Sequence, residues 1–183
     1  MSSGPEADPG RTVCPGCGLQ LPSRGLEPDR GANESGECRS LMHELSYYTL
    51  AHDGTFIHQH AVDAYGAQHV RQSRSTIGAA FNLAGLYLAV ERGMTGRQVQ
   101  KMHMLMASRS KAWPPFEPPQ DLGRLTVADV LAAPPGPLRD EALMRWCGSI
   151  WSAWSSEHDR VRAMTDVFLE SGGPDVRKRK APD

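Results

Sequence analysis

From Cys38 onward apolar residues recur at helical spacing, and no strand-like alternation persists anywhere in the chain. Leu41, Leu45, Tyr48 and His52 mark a first helical run, which Asp53-Gly54 ends. Residues 57–69 predict a second helix with Val62, Tyr65 and His69 on one side. Over residues 74–92, Ile77, Phe81, Leu83, Leu86, Leu88 and Val90 leave little polar surface, so this helix is expected at the centre, with Gly93 just past its end. Thr95 and Gln98 have the spacing of a capping box and open a helix carrying Val99, Met102, Leu105 and Met106. Four prolines in WPPFEPPQDLGR (113–124) break both helical and strand ladders, so this segment is expected to wrap the outside. Thr126 caps a short run, TVADVLAA, and Pro137 opens the longest helix, about 137–170, with Gly172-Gly173 beyond it.

This pattern predicts a mainly α fold: a bundle of about five helices with an N-terminal Cys-rich, zinc-binding loop. Within one helical domain over residues 14–172, the loop is a knuckle over 14–38. It is preceded by a disordered leader (1–13) and followed by a basic, disordered tail (173–183). The first ten residues, MSSGPEADPG, are polar and hold no apolar core, so no secretory leader is expected. No apolar run approaches the roughly 18 residues of a membrane helix. A cytoplasmic protein is therefore expected. The formal net charge of −1 argues against a dedicated nucleic-acid binder, and the knuckle's Arg24 and Arg30 are outweighed by Glu27, Asp29, Glu34 and Glu37.

Four cysteines in 183 residues are too few for a disulfide framework. Cys14 and Cys17 stand in Cys-Pro-Gly-Cys-Gly, and Cys38 follows 21 residues after Cys17. A Cys-x2-Cys turn brings two thiolates onto one tetrahedral ion, and zinc is the cofactor this spacing implies. A thioredoxin-type pair would need a helix directly after the motif, where this chain has Gly18, Pro22, Gly25 and Pro28. Cys147, among Leu143, Ile150 and Trp154, reads as a buried inert thiol.

A closed zinc site needs a fourth ligand, and five of the seven histidines fall between His43 and His69. His58 and His69 would share a face of an unbroken helix but stand about 16 Å apart along its axis, too far for one ion. If the helix starts after His58, that residue lies near the knuckle, which makes it the favoured fourth ligand. His43, five residues after Cys38, is its rival.

Asp63, Tyr65, Gln68 and His69 in VDAYGAQH cannot all face solvent, so a buried hydrogen-bond network is expected there. The sharper reading makes His69, with Asp63 or His158, an acid–base pair beside a metal with an open position. His158 falls on the inner stripe of the last helix, one turn after Trp154, and reads first as a core residue. Trp146, Trp151 and Trp154 lie within nine residues, so one is expected to be partly exposed. Met102, Met104 and Met106 alternate faces of a helix and do not build a copper site. No phosphate loop, dinucleotide fingerprint, His-Glu-x-x-His or Gly-x-Ser-x-Gly occurs.

Together, CPGCG (14–18), Cys38, H-x4-VDAY-x2-QH (58–69), LAGLYLAVERG (83–93), WPPFEPP with LGRLTVADV (113–130) and W-x4-W-x2-W-x3-H (146–158) give the chain its resemblance to a family. It resembles the uncharacterised bacterial family called domain of unknown function 5946, from about Cys14 to Arg162. The resemblance implies a small, mainly helical protein with a metal site and assigns no reaction. Two functions stay open: a zinc-binding protein whose metal staples loop to bundle, serving a protein or small-molecule partner in an accessory role, and a metal-dependent enzyme.

Overall fold

The computed structural model describes residues 10–29, 31–51, 55–70 and 76–171. The basic tail expected over 173–183 lies outside the described residues, as does the leader up to residue 9. The chain opens with a hairpin of β1 (Arg11–Val13) and β2 (Gln20–Pro22), paired antiparallel with Thr12 opposite Leu21. These three-residue strands are too short for an alternating pattern to register, so the sequence reading misses them.

Seven α-helices follow among the described residues, where about five are expected: α1 (Gly36–Ala51), α2 (His58–Gln68), α3 (Thr76–Val90), α4 (Gly96–Arg109), α5 (Val127–Ala132), α6 (Pro137–Ala153) and α7 (His158–Glu170). The expected long helix over 137–170 is broken, because a 3-10 turn at Ser155–Glu157 separates α6 from α7. His158 supports this break. Its Nε2 lies 2.8 Å from the Trp151 carbonyl oxygen and its ring stacks on the Trp151 indole at 3.8 Å. The capping box at Thr95 forms as the spacing predicts, with Gln98 as its partner.

Helix α3 sits at the centre, with Leu83, Ala84, Leu86, Tyr87, Leu88 and Ala89 all buried. It packs on α2, α4, α6 and α7. A continuous buried run on every side of a helix is what its near-absence of polar residues requires. The α2–α3 contact is close at two glycines, Gly66 of α2 beside Asn82 and Gly85 of α3 beside Asp63. Side chains at Gly66 or Gly85 would collide, with Cβ atoms 2.2 Å from Asn82 Nδ2 and 2.0 Å from Asp63 Oδ2 respectively.

The three tryptophans of α6 and its end are all buried, so none forms the exposed pocket wall expected of one of them. Trp146 Nε1 donates to Gln68 Oε1 at 3.1 Å, and Gln68 Nε2 donates to the Leu122 and Leu125 carbonyls at 3.2 and 2.8 Å. A fully buried glutamine thus ties the proline-rich segment to α2 and α6. The same segment is held by Trp113 against Phe81 and Phe168. No helix among the described residues is long and apolar enough to cross a membrane.

Candidate metal centre

The β1–β2 hairpin turns through the knuckle. Cys14 N–H donates to the Leu19 carbonyl and Gly18 N–H to the Cys14 carbonyl, both at 2.9 Å, and Gly18 takes a left-handed φ of 73°. This curl aims the Cys14 and Cys17 sulfurs to one side. Cys38 arrives from the first turn of α1, where Ser35 Oγ accepts its backbone N–H at 3.1 Å and so caps the helix. A thiolate there also gains from the positive end of the helix dipole.

The fourth group comes from the far end of α2. His69 is the C-cap residue, with its backbone N–H on the Tyr65 and Gly66 carbonyls. Its Nε2 lies 3.4 Å from Cys14 Sγ and 3.5 Å from Cys38 Sγ, and Cys17 Sγ lies 3.7 Å from Cys38 Sγ. All four ligand atoms fall within 4.8 Å of one another. The cluster is therefore not confined to the N-terminal loop, as the expected fold had it, but joins the hairpin, the start of α1 and the end of α2.

These distances suit a tetrahedral ion. Metal–sulfur bonds of about 2.3 Å and metal–nitrogen bonds of about 2.0–2.1 Å give S···S edges near ~3.8 Å and S···N edges near ~3.5 Å. A disulfide would need sulfurs at about 2.05 Å, and all four cysteines are free. Cys14 is 1% exposed, Cys38 0% and His69 6%, while Cys17 is half-buried.

The surroundings orient the imidazole. Nδ1 lies 2.7 Å from the Tyr65 carbonyl oxygen, and the ring stacks on the Tyr65 ring at 3.9 Å. The Tyr65 hydroxyl donates to Glu34 Oε2 and reaches Cys38 Sγ at 3.6 Å. Glu34 in turn lies 3.9 Å from Arg39 Nε. On the other side the ring meets the knuckle at Gly16, where a Cβ would stand 2.5 Å from His69 Cδ2 and 2.6 Å from the Asn33 carbonyl oxygen. Only a residue without a side chain lets the ring seat there.

The electrostatics also fit a cation. Hydrogen bonds from the Cys17 and Cys38 sulfurs hold the Cys14 thiol far below its ordinary range. The Cys14 sulfur first, and then the Cys17 sulfur, push the Cys38 thiol far above it. Burial pulls the His69 imidazole down, but the Cys14 and Cys17 sulfurs outweigh it and hold it up at about 10. Cys14 and Cys38 thus oppose one another's ionisation, and a divalent cation between them would let both ionise.

The other candidates lie elsewhere. His58, the favoured fourth ligand from sequence, opens α2 at the end opposite His69, and its Nδ1 lies 2.9 Å from Thr49 Oγ1. His43 is exposed on α1. Asp63 is buried against Gly85 with Gln59 Nε2 donating to its Oδ1 at 3.0 Å, and burial raises its carboxyl well above the ordinary range. Six residues separate Asp63 from His69, about 240° around the helix, so they face different neighbours. His158 is engaged at the α6–α7 break. Cys147 is buried with its Sγ 3.6 Å from the His60 carbonyl, and burial pushes its thiol up. His69 carried two sequence signals: it stands one turn after Tyr65 at a helix end, and the knuckle offers Gly16 as a seat.

A family model described as "Family of unknown function (DUF5946)" matches residues 12–155, a span that holds all four clustered residues. No curated protein and no solved structure matches the chain.

Proposed function

The chain belongs to this family of unknown function, and from that premise we propose that it is a helical protein stapled by one structural zinc ion. Cys14, Cys17, Cys38 and His69 are the ligands of this reading. The observation that carries it is the closure of the set: three sulfurs and one imidazole nitrogen within 4.8 Å of one another, three of the four residues buried. Four protein ligands complete a tetrahedral shell, whereas a hydrolytic zinc keeps one position for water.

Zinc supplies cross-linking here rather than Lewis-acid chemistry, and the chain's residues hold it. Tyr65 fixes the imidazole through its carbonyl and its ring. Ser35 fixes the backbone of Cys38, and the hairpin hydrogen bonds fix Cys14. The ion then cross-links the hairpin, the start of α1 and the end of α2, and its binding energy becomes folding energy, about 10–16 kcal/mol in small zinc domains. A closed site gives His69 no role as a base, which removes the support for the enzyme reading. The protein's role is accessory or interactive in the cytoplasm, where thiols stay reduced.

The test is purification with metal analysis, followed by chelation. The reading requires about one zinc per chain and a loss of thermal stability on chelator treatment that zinc restores. Cys14→Ser and Cys38→Ser should lose metal and soluble expression together. Full zinc retention in either variant would contradict the reading.

A further inference from the structure

The three thiols of the cluster are not equally protected. Cys14 and Cys38 are buried, while Cys17, at the tip of the knuckle, is only half-buried. The Cys17 sulfur also has a partner within reach, Cys38 Sγ at 3.7 Å. Cys14 is a poorer partner, because its backbone is fixed within the same tight turn as Cys17 by the Leu19 and Gly18 hydrogen bonds. Cys147 lies outside the cluster, beneath the His60 carbonyl. Coordinated thiolates are already deprotonated and remain nucleophiles.

We infer that Cys17 is a site of oxidation by hydroperoxides, and that Cys38 resolves it as a Cys17–Cys38 disulfide with release of the metal. This rests on the zinc reading above. In the first step the Cys17 thiolate attacks one peroxide oxygen, the O–O bond breaks, and hydroxide leaves with the electron pair. The product is a Cys17 sulfenic acid. In the second step the Cys38 thiolate attacks the Cys17 sulfur, the S–O bond breaks and a second hydroxide leaves. Two thiolates have lost two electrons and one hydrogen peroxide has taken them up as two hydroxides. Metal is lost because two of its four ligands are consumed.

The choice of pair has a structural consequence. A Cys17–Cys38 bridge keeps the hairpin tied to α1 but leaves the His69 end of α2 without its link. Oxidation therefore frees one segment of the junction and spares the other.

The full-length, zinc-loaded protein is titrated with hydrogen peroxide in the presence of a chromogenic chelator, and the disulfides are mapped by non-reducing digestion and mass spectrometry. Expected is one zinc released per chain in step with one Cys17–Cys38 disulfide. A dithiol with added zinc should reverse both. Cys147→Ala, which leaves the cluster intact, should respond identically. Sulfenic acid trapping by a dimedone-type reagent should label Cys17 before any other cysteine. Release with a Cys14–Cys17 bridge, first labelling at another cysteine, or zinc retained after Cys17 is oxidised would overturn the inference while leaving the structural zinc intact. A purified protein that binds no zinc overturns both.

Discussion

His69 Nδ1 lies 2.7 Å from the carbonyl oxygen of Tyr65, one helical turn earlier. A carbonyl can only accept, so Nδ1 carries a proton and Nε2, beside the Cys14 and Cys38 sulfurs, is the nitrogen left to bind an ion. One backbone contact thereby selects the tautomer a metal requires. His69→Ala should lower zinc affinity by more than about 100-fold, since losing only a hydrogen-bond partner of a ligand costs about 10–100-fold. His58→Ala should keep full zinc and lose its contacts with Thr49 and Phe56, the Thr49 hydrogen bond being worth about 1 kcal/mol. Competition with a fluorescent zinc chelator measures both, and the reverse ranking would reject His69 as the ligand.

Gly16 is the seat of the His69 ring. Gly16→Ala places a methyl group 2.5 Å from His69 Cδ2 and 2.6 Å from a backbone oxygen, which overpacking data price at about 1–3 kcal/mol. The variant should melt several degrees lower and bind zinc more weakly. Gly18→Ala is the control. It has open space around its Cβ and bears only the strain of its left-handed φ, so its zinc affinity should be close to that of the parent.

Gln68 satisfies three groups at once: the Trp146 indole N–H and the carbonyls of Leu122 and Leu125. Gln68→Leu strands all three in the interior and should cost about 2–4 kcal/mol in urea denaturation. Limited proteolysis should cut the proline-rich segment faster in this variant. An unchanged cleavage rate would mean that the glutamine does not hold the segment.

His103 is half-buried against Phe81, with Gln59 Nε2 at 3.5 Å from its Nδ1, and loss of solvent around the ring depresses its imidazole from 6.5 to about 4. The folded value lies below the unfolded one. Its contribution is therefore complete above pH 6.5 and is lost as the pH falls toward 4, by at most about 3 kcal/mol. Wild type should lose more stability than His103→Gln between pH 7 and 4.5. Taking the difference between the two proteins cancels acid effects on the zinc site, and parallel curves would refute the shift.

The three cysteines of the cluster were legible because spacing alone brings Cys14 and Cys17 together and leaves Cys38 as the third thiol on offer. The fourth was not. A helix start after His58 would have left that residue by the knuckle, yet α2 begins at His58 and runs with its C-terminal end toward the knuckle, and only tertiary packing sets that direction. Ser155–Ser156 carries no proline or glycine, so the break between α6 and α7 left no strong signal; the Trp151–His158 stack that supports it is visible only in three dimensions. The central place of α3 was plain from its uninterrupted apolar run. The burial of all three tryptophans was not, because α6 is covered on several sides by segments distant in sequence.

The most direct test of the closed Cys3His site is the absorption spectrum of the cobalt-substituted protein. Thiolate-to-cobalt charge-transfer intensity counts the coordinated sulfurs, and the ligand-field bands report the coordination number. The account predicts three thiolates on a four-coordinate tetrahedral ion, with His69→Cys raising the count to four. Two thiolates, or a five-coordinate spectrum that changes on adding a small anion, would show an open position and contradict it.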